Sequence, residues 1–274
     1  MKNFFKGAVI GGSMLLPGLS GGTMAILLGV YERLLKAVSD ITKRLDIKKN
    51  LLFLCVFSLG GIAGIFCFSH ILSYILSAFG FFLSFLFIGL IAGTIPLIFR
   101  ESEAKEVKVT DILFVAIGVT VSLSIKLVPK NLLDISSVSS LPDFLLLFMA
   151  GLFIAIALIL PGISVSYTLL ILGIYERVLE SIKTADILYL LPIGAGVIAG
   201  ILLFTRMLDY LMTKFKRATY MIIGGFVISC IPNVFPGLPK GADLLIALPL
   251  LISGFFTVCI ITRRKAQFDS KENP

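Results

Sequence analysis

The sequence predicts an all-α, polytopic membrane protein made of two inverted-topology repeats, each a re-entrant helical hairpin followed by three transmembrane helices. Three observations lead to this prediction: the composition, an internal duplication and the placement of basic residues. Of the 274 residues, 58% are apolar and 15% are charged, and the mean hydropathy is +1.05. A soluble domain carries more polar surface than this, and the length suits about eight membrane segments of ~20 residues each.

The duplication is visible in segments that match across the two halves of the chain. LPGLSGGTMAILLGVYER at 16–33 matches LPGISVSYTLLILGIYER at 160–177, an offset of 144 residues. After a shorter link, GGIAGIFCFSHILSYIL at 60–76 matches GVIAGILLFTRMLDYLM at 196–212, an offset of 136. A repeat of this length predicts one structural unit used twice.

Each half, 1–128 and 129–274, opens with an apolar stretch that a Pro-Gly pair interrupts. Proline breaks a helix and glycine permits a turn, and the arms around Pro17 are only ~12–16 residues, short for a ~30 Å hydrocarbon core. These stretches are therefore interpreted as hairpins, and three apolar runs follow each one. The predicted segments are hairpin 5–30 and crossings 51–78, 81–99 and 111–128, then hairpin 143–174 and crossings 187–212, 219–236 and 243–262.

The basic residues favour hairpins that re-enter over hairpins that cross. With the first hairpin entering from the cytoplasm, 18 of the 24 Lys and Arg lie in inner loops and 4 in outer loops, and Lys126 and Arg206 lie within segments. Crossing hairpins would place residues 31–50, with six basic side chains, outside, against the positive-inside rule. Three crossings per half then invert the second half, as in many secondary transporters, and leave both termini cytoplasmic.

The hairpin tips are the candidate binding site. Irregular backbone at membrane depth must be packed or functional, and the N-terminus of a half-helix offers free N–H groups to an anion. Two tips that meet near the midplane from opposite faces would form an anion site with alternating access. The candidate residues are Ser20, Gly21, Gly22 and Thr23 at the first tip and Ser164, Ser166 and Tyr167 at the second. A tight turn that only packs against neighbouring helices is the alternative.

Three further sets of polar residues have both a functional and a structural interpretation, with packing the preferred one for His70. Tyr31-Glu32-Arg33 and Tyr175-Glu176-Arg177 close the second arms, where arginine could bind phosphate or anchor the helix at headgroup depth. Arg206 lies in an apolar run one turn from Asp209, where it could contact substrate or extend to the inner interface. His70, the only histidine, could titrate or simply pack.

Other features of the chain receive structural interpretations. The net charge of +8 comes from basic residues at the ends of apolar runs, which suits lipid headgroups rather than nucleic acid. The four cysteines lie in apolar stretches without a C-x-x-C pair, so no metal site, disulfide or cofactor is expected. A signal peptide would not recur deep in the chain, so the N-terminus is interpreted as retained structure. The pairs Gly60/Gly64, Gly89/Gly93 and Gly196/Gly200 predict close helix contacts.

The motifs PGLSGGT…GVYE and PGISVS…GIYE resemble the polyprenyl-phosphate transporter family of prokaryotic membrane proteins, over essentially the whole chain. The resemblance implies transport of undecaprenyl phosphate, a cell-envelope carrier lipid, from the outer to the cytoplasmic leaflet of the cell membrane. The signature falls on Pro17, Gly18, Ser20, Gly21, Gly22, Thr23, Gly29, Tyr31 and Glu32, and on Pro161, Gly162, Ser164, Ser166, Gly173 and Tyr175. Val165 departs from it, since a glycine would match the first copy.

Other functions remain as alternatives. Gly18-Leu19-Ser20-Gly21 has the G-x-S-G form of intramembrane serine proteases, which would need His70 as a base, but Ser164 has no second histidine. A phosphatase of the phosphohistidine type needs at least two histidines. A transporter of another lipid phosphate or of a small anion also fits these residues. The sequence leaves the oligomeric state and any coupling ion open.

Overall fold

A computed structural model describes residues 1–14, 20–104, 106–129, 132–133, 135, 137–138 and 140–272, without the side chains of 69–74, 76–77, 126 and 261–272. All regular structure in these residues is helical. The α-helices are α1 (Lys2–Ser13), α2 (Gly21–Leu27), α3 (Tyr31–Thr42), α4 (Ile47–Glu101), α5 (Val109–Ser124), α6 (Leu141–Ile159), α7 (Val165–Leu172), α8 (Tyr175–Thr184), α9 (Ile187–Lys214), α10 (Lys216–Ile228), α11 (Ile231–Val234) and α12 (Leu244–Glu272).

Six stretches are long and apolar enough to cross a membrane, which confirms the predicted all-α polytopic class. They are Ile47–Phe68, Ala78–Glu101, Leu141–Ile159, Ile187–Lys214, Lys216–Val234 and Gly241–Ile260. Five of these correspond to predicted crossings. The sixth is α6, which was predicted as a hairpin arm, whereas α5, a predicted crossing, has 16 residues, or about 24 Å at 1.5 Å per residue. Which helices cross therefore remains a prediction.

Each half breaks its longest helical run at an equivalent phenylalanine. Phe79 inside α4 has φ −131° and ψ 15°, and Phe215 between α9 and α10 has φ −122° and ψ 45°, again 136 residues apart. The Thr219 hydroxyl donates to the carbonyl of Leu211 at 3.1 Å, although a straight helix would separate residues eight apart by about 12 Å. The chain therefore turns sharply at Phe215.

The two halves make equivalent helix contacts. In the first half α1 packs along α4, with the Gly11 backbone against the Gly61 carbonyl, and in the second half α6 packs along α9, with Gly151 against Ile193. These are close approaches of backbone to backbone, which only a residue without Cβ permits.

The last helix of each half packs on the other half. Helix α12 lies along the second part of α4, where Gly254 faces the Leu86 carbonyl, and α5 lies along α10, where Gly118 faces the Ile222 carbonyl. Gly118 and Gly254 are also 136 residues apart. The halves are therefore interlocked by an exchange of equivalent helices, while their inversion across a bilayer stays a prediction.

The predicted small-residue contacts are confirmed. Gly60 and Gly64 of α4 face the carbonyls of Phe4 and Ala8 in α1, and Gly89 faces the carbonyl of Leu251 in α12. The remaining members, Gly93, Gly196 and Gly200, likewise lie against Phe255, Phe148 and Ala155.

A matched pair of glycines in α9 tests this packing. A methyl group at Gly196 would lie 2.1 Å from the Phe148 carbonyl oxygen, whereas at Gly194 it would meet no atom within 4 Å. Gly196→Ala is expected to lower the free energy of unfolding by about 1–3 kcal/mol through overpacking. Gly194→Ala is expected to be neutral or to raise it by up to about 1 kcal/mol. Thermal unfolding in one detergent measures both, and equal melting temperatures would contradict the contact.

Candidate functional site

The first predicted hairpin does fold back on itself. The Lys6 Nζ, near the start of α1, donates to the carbonyl of Leu28, just after α2, at 3.0 Å. A side chain can reach a carbonyl 22 residues away only if the two arms run back towards each other. Residues 15–19, which include Pro17 and Gly18 of the motif, lie outside the described residues.

The second hairpin closes in a related way. The amides of Leu132 and Leu133, which precede α6, donate at 3.0 Å to the carbonyls of Ile171 and Leu172 at the end of α7. Gly162 in the intervening turn has φ +87°, and a Cβ there would lie 2.2 Å from the Phe226 carbonyl of α10. A glycine is therefore required at this tip both by its backbone angle and by its neighbour.

The two tips are in direct contact, as predicted. The Gly162 amide donates to the Ser20 Oγ at 2.9 Å, and the Thr23 amide donates to the same oxygen at 3.2 Å. Gly22 packs against Pro161, where a Cβ would lie 3.0 Å from the Pro161 Cα. The Ser20 oxygen therefore joins the two halves and caps α2 at once. The depth of this contact in a bilayer remains a prediction.

Tyr31 adds a second link between the halves. Its hydroxyl donates to the Ile159 carbonyl, the last residue of α6, at 3.1 Å. Burial raises the pKa of the Tyr31 phenol, so it stays protonated and remains a donor. Tyr31 belongs to a motif predicted to bind a ligand or to anchor the helix, and in the structure its hydroxyl links the two halves, while any contact with a ligand stays a prediction.

Thr23 is fully buried, and its hydroxyl lies 2.9 Å from the Ser20 Oγ and 3.7 Å from the Cys230 Sγ. In this conformation Ser20 and Thr23 therefore bond to the protein itself. Gly21 and Gly22 line a cavity of about 320 Å³ whose walls are mostly apolar, including Phe57, Ile159 and Ile201.

Ser164 at the second tip is more exposed than Ser20 and Thr23 at the first. Ser164 is exposed and accepts from the Tyr167 amide at 3.4 Å, which caps α7. It lines a pocket of about 240 Å³ together with Ser122, Gly162, Tyr167 and Asn233. Ser166, in the first turn of α7, is exposed as well. Of the predicted tip residues, Ser164 and Tyr167 are thus brought into one polar pocket.

The two Tyr-Glu-Arg arginines stack on equivalent rings. The Arg33 guanidinium lies 4.8 Å from the Phe53 ring centre, and that of Arg177 lies 5.0 Å from the ring of Tyr189. Arg177 also pairs with Asp186 at 2.6 Å and Glu180 at 3.1 Å. These contacts attach each arginine to the next long helix of its own half and support an anchoring role.

Three other residues of the two Tyr-Glu-Arg motifs are at least partly exposed. Glu32 is exposed and lines a cavity of about 70 Å³ with Glu101 and Tyr220, while Tyr175 is half-buried and Glu176 exposed at the start of α8. These observations leave any contact with a ligand as a prediction.

The polar pair in α9 separates into two environments. Arg206 is exposed, whereas Asp209 accepts from the Ser39 hydroxyl at 2.7 Å and from the Lys43 Nζ at 2.9 Å, which ties α9 to α3. The side chain of His70 lies outside the described part of the chain.

Sequence reasoning missed Asn233 and Ser122. A signal existed for Asn233, because a carboxamide inside the apolar run 219–236 is a polar group at membrane depth. For Ser122 there was none, since lone serines are common in membrane helices.

Comparison with known proteins gives consistent results. A family model described as undecaprenyl phosphate translocase-like matches residues 10–243. A polyprenyl-phosphate transporter of Staphylococcus aureus is 32% identical over 275 residues, covering 97% of each chain. A polyprenyl-phosphate transporter of Vibrio cholerae is 27% identical over 248 residues, covering 86% of this chain and 78% of the relative. No solved structure matches the chain.

Alanine substitutions of the two capping serines test the contact between the tips. Ser20→Ala removes the acceptor of the Gly162 and Thr23 amides and is expected to cost about 1–3 kcal/mol of stability, because two partly buried donors lose their partner. Ser164→Ala removes one exposed cap bond and is expected to cost about 0.5–1 kcal/mol. Thermal unfolding of both variants measures the difference, and the reverse order would contradict the assigned role of Ser20.

Proposed function

The chain belongs to the undecaprenyl phosphate translocase-like family, and we propose that it is a flippase that returns undecaprenyl phosphate from the outer to the cytoplasmic leaflet of the cell membrane. The relatives named polyprenyl-phosphate transporter support the substrate class. One structural observation carries the proposal: two broken helical hairpins meet through Ser20 and Gly162 beside a polar pocket.

The physical task is to carry a phosphate through a medium that cannot solvate it. An ionised group in hydrocarbon is costly unless protein donors replace its water. Only the headgroup needs this protection, because the isoprenoid tail is as apolar as the lipid. Backbone amides and hydroxyls at a helix break provide such donors, since the regular helix does not use them.

Movement between the halves would provide alternating access. The tips belong to different halves. A small set of contacts holds the two tips together, notably Ser20 with Gly162 and Tyr31 with Ile159. If the halves are inverted, each hairpin forms one side of the site, and rocking one half opens the site to one leaflet at a time.

The structure favours a lipid-linked anion over a small free anion. Apolar cavities of about 320 and 240 Å³ adjoin the two tips. A free anion would have no use for them, whereas a hydrocarbon tail would. We infer no catalytic role for Ser20, because its described hydrogen-bond partners are the Gly162 and Thr23 amides and the Thr23 hydroxyl, none of which is a base that could accept its proton.

Recycling of the carrier lipid in cells tests the proposed function. In a bacterial host without its own transporters for this lipid, undecaprenyl phosphate is expected to accumulate on the outer surface. Expression of the full chain is expected to lower that surface pool to the level of the parent strain. The pool can be measured with a probe that binds the exposed lipid phosphate. An unchanged surface pool, with the protein present in the membrane, would contradict the proposal.

Cysteine labelling tests the inverted arrangement. In a background with the four native cysteines replaced by serine, Lys48→Cys is expected to react with an impermeant maleimide only after the cell is opened. Lys240→Cys is expected to react in intact cells, because the positive-inside rule places these two loops on opposite faces. Labelling of both positions in intact cells would rule out the arrangement.

A further inference from the structure

The pocket at the second tip is formed by four separate elements. Its polar walls come from Ser122 of α5, Gly162 and Ser164 of the turn, Tyr167 of α7 and Asn233 of α11. Hydroxyl, phenol and carboxamide groups can all donate hydrogen bonds, and none of the described residues in the walls is a carboxylate that would repel an anion. This lining therefore suits an anionic headgroup bound through neutral donors.

Two of these side chains belong to neither repeat motif. Asn233 follows Pro232 in the short helix α11, is exposed and lines the pocket with its carboxamide side chain. The Ser122 hydroxyl lies 2.6 Å from the Ser229 hydroxyl, which fixes it in the wall.

An apolar groove continues from the same pocket. The two share Ile125 and Ile163, and the groove encloses about 240 Å³ between the end of α5, α6 and α7. Its other walls are almost entirely hydrocarbon: Val128, Leu132, Phe153, Ile156, Ala157, Thr168, Ile171 and Leu172. A polar pocket that opens directly onto a hydrocarbon-lined groove matches a molecule with one polar end and an apolar chain.

Three polar residues of this pocket have buried counterparts in the described part of the first half. By the repeat offsets, Tyr167 corresponds to Thr23, Ser122 to Val258 and Asn233 to Leu97. Thr23 and Val258 are 0% exposed and Leu97 is 8% exposed, and two of the three polar side chains are replaced by hydrocarbon. The two halves therefore differ at these positions both in residue type and in side-chain exposure.

Building on the proposed function, we propose that this pocket binds the phosphate of the transported lipid, with Asn233 and Ser122 as headgroup ligands, and that the groove binds its first isoprenoid units. The occupant is a polyprenyl phosphate rather than a free phosphate, because only the lipid fills both parts. Under the proposed topology the pocket faces the outer leaflet, so the structure corresponds to the loading side of the cycle.

Binding to the purified full chain tests the assignment. Native mass spectrometry in detergent would measure bound undecaprenyl phosphate, with undecaprenol and inorganic phosphate as separate competitors. Asn233→Asp keeps the shape but replaces two donors with a negative charge, and it is expected to weaken lipid binding at least tenfold. Ala157→Phe fills the groove and is expected to weaken it to a similar degree.

The controls separate a local effect from misfolding. Ala195→Phe adds the same bulk to an exposed position of α9 and is expected to bind as the unsubstituted chain does. Asn233→Gln keeps the amide donors and is expected to retain more binding than Asn233→Asp. Melting temperatures within a few degrees of the unsubstituted chain would show that each variant is folded.

The outcomes distinguish the two proposals. If the unsubstituted chain binds the lipid and both Asn233→Asp and Ala157→Phe bind equally well, the pocket assignment is wrong while the proposed function stands. If inorganic phosphate displaces the lipid fully and Ala157→Phe has no effect, the groove is not a tail site. If the unsubstituted chain neither binds the lipid nor lowers its surface pool in cells, the proposed function fails as well.

Discussion

The structure depends on one constraint: a helix that breaks inside a membrane protein must find partners for its freed backbone groups. Water is absent from the hydrocarbon core, so these partners must be protein atoms. Ser20 provides one such partner twice, because its oxygen accepts the amide of Thr23 in its own half and that of Gly162 in the other. The same contact that satisfies the broken backbone therefore joins the two halves at their tips.

The surrounding helices hold these tips in place by close backbone packing. Lipid tails are as apolar as leucine, so burial of hydrocarbon contributes little between membrane helices, and tight van der Waals contact dominates. Glycines such as Gly89 and Gly118 allow this contact where α12 and α5 cross to the opposite half. The exchange of the last helices makes each half part of the support of the other. A relative movement of the halves must then pass through these interfaces as well as through the tips.

The proposed site would hold its anion with neutral groups rather than with charged side chains. Arg33 and Arg177 stack on rings of their own halves, and the pocket at the second tip has only neutral donors among its described walls. A site built from neutral donors holds a phosphate without a strong fixed countercharge, which suits a carrier that must also release it. In this conformation Thr23 at the first tip is fully buried, whereas Ser164 at the second tip lines an open pocket.

The sequence by itself determined the helical membrane class, the duplication and the position of both helix breaks, because these depend on composition, periodicity and local backbone preference. It also predicted that glycines at a spacing of four would lie at helix contacts and that the tips would meet. Only the tertiary structure decided which groups share a site. Asn233 and Ser122 lie 111 residues apart and far from either motif, yet line one pocket, while Asp209 bonds to Lys43 and Ser39 of another helix. The physical reason is that such neighbours come together through packing of distant segments, which no local pattern in the chain records.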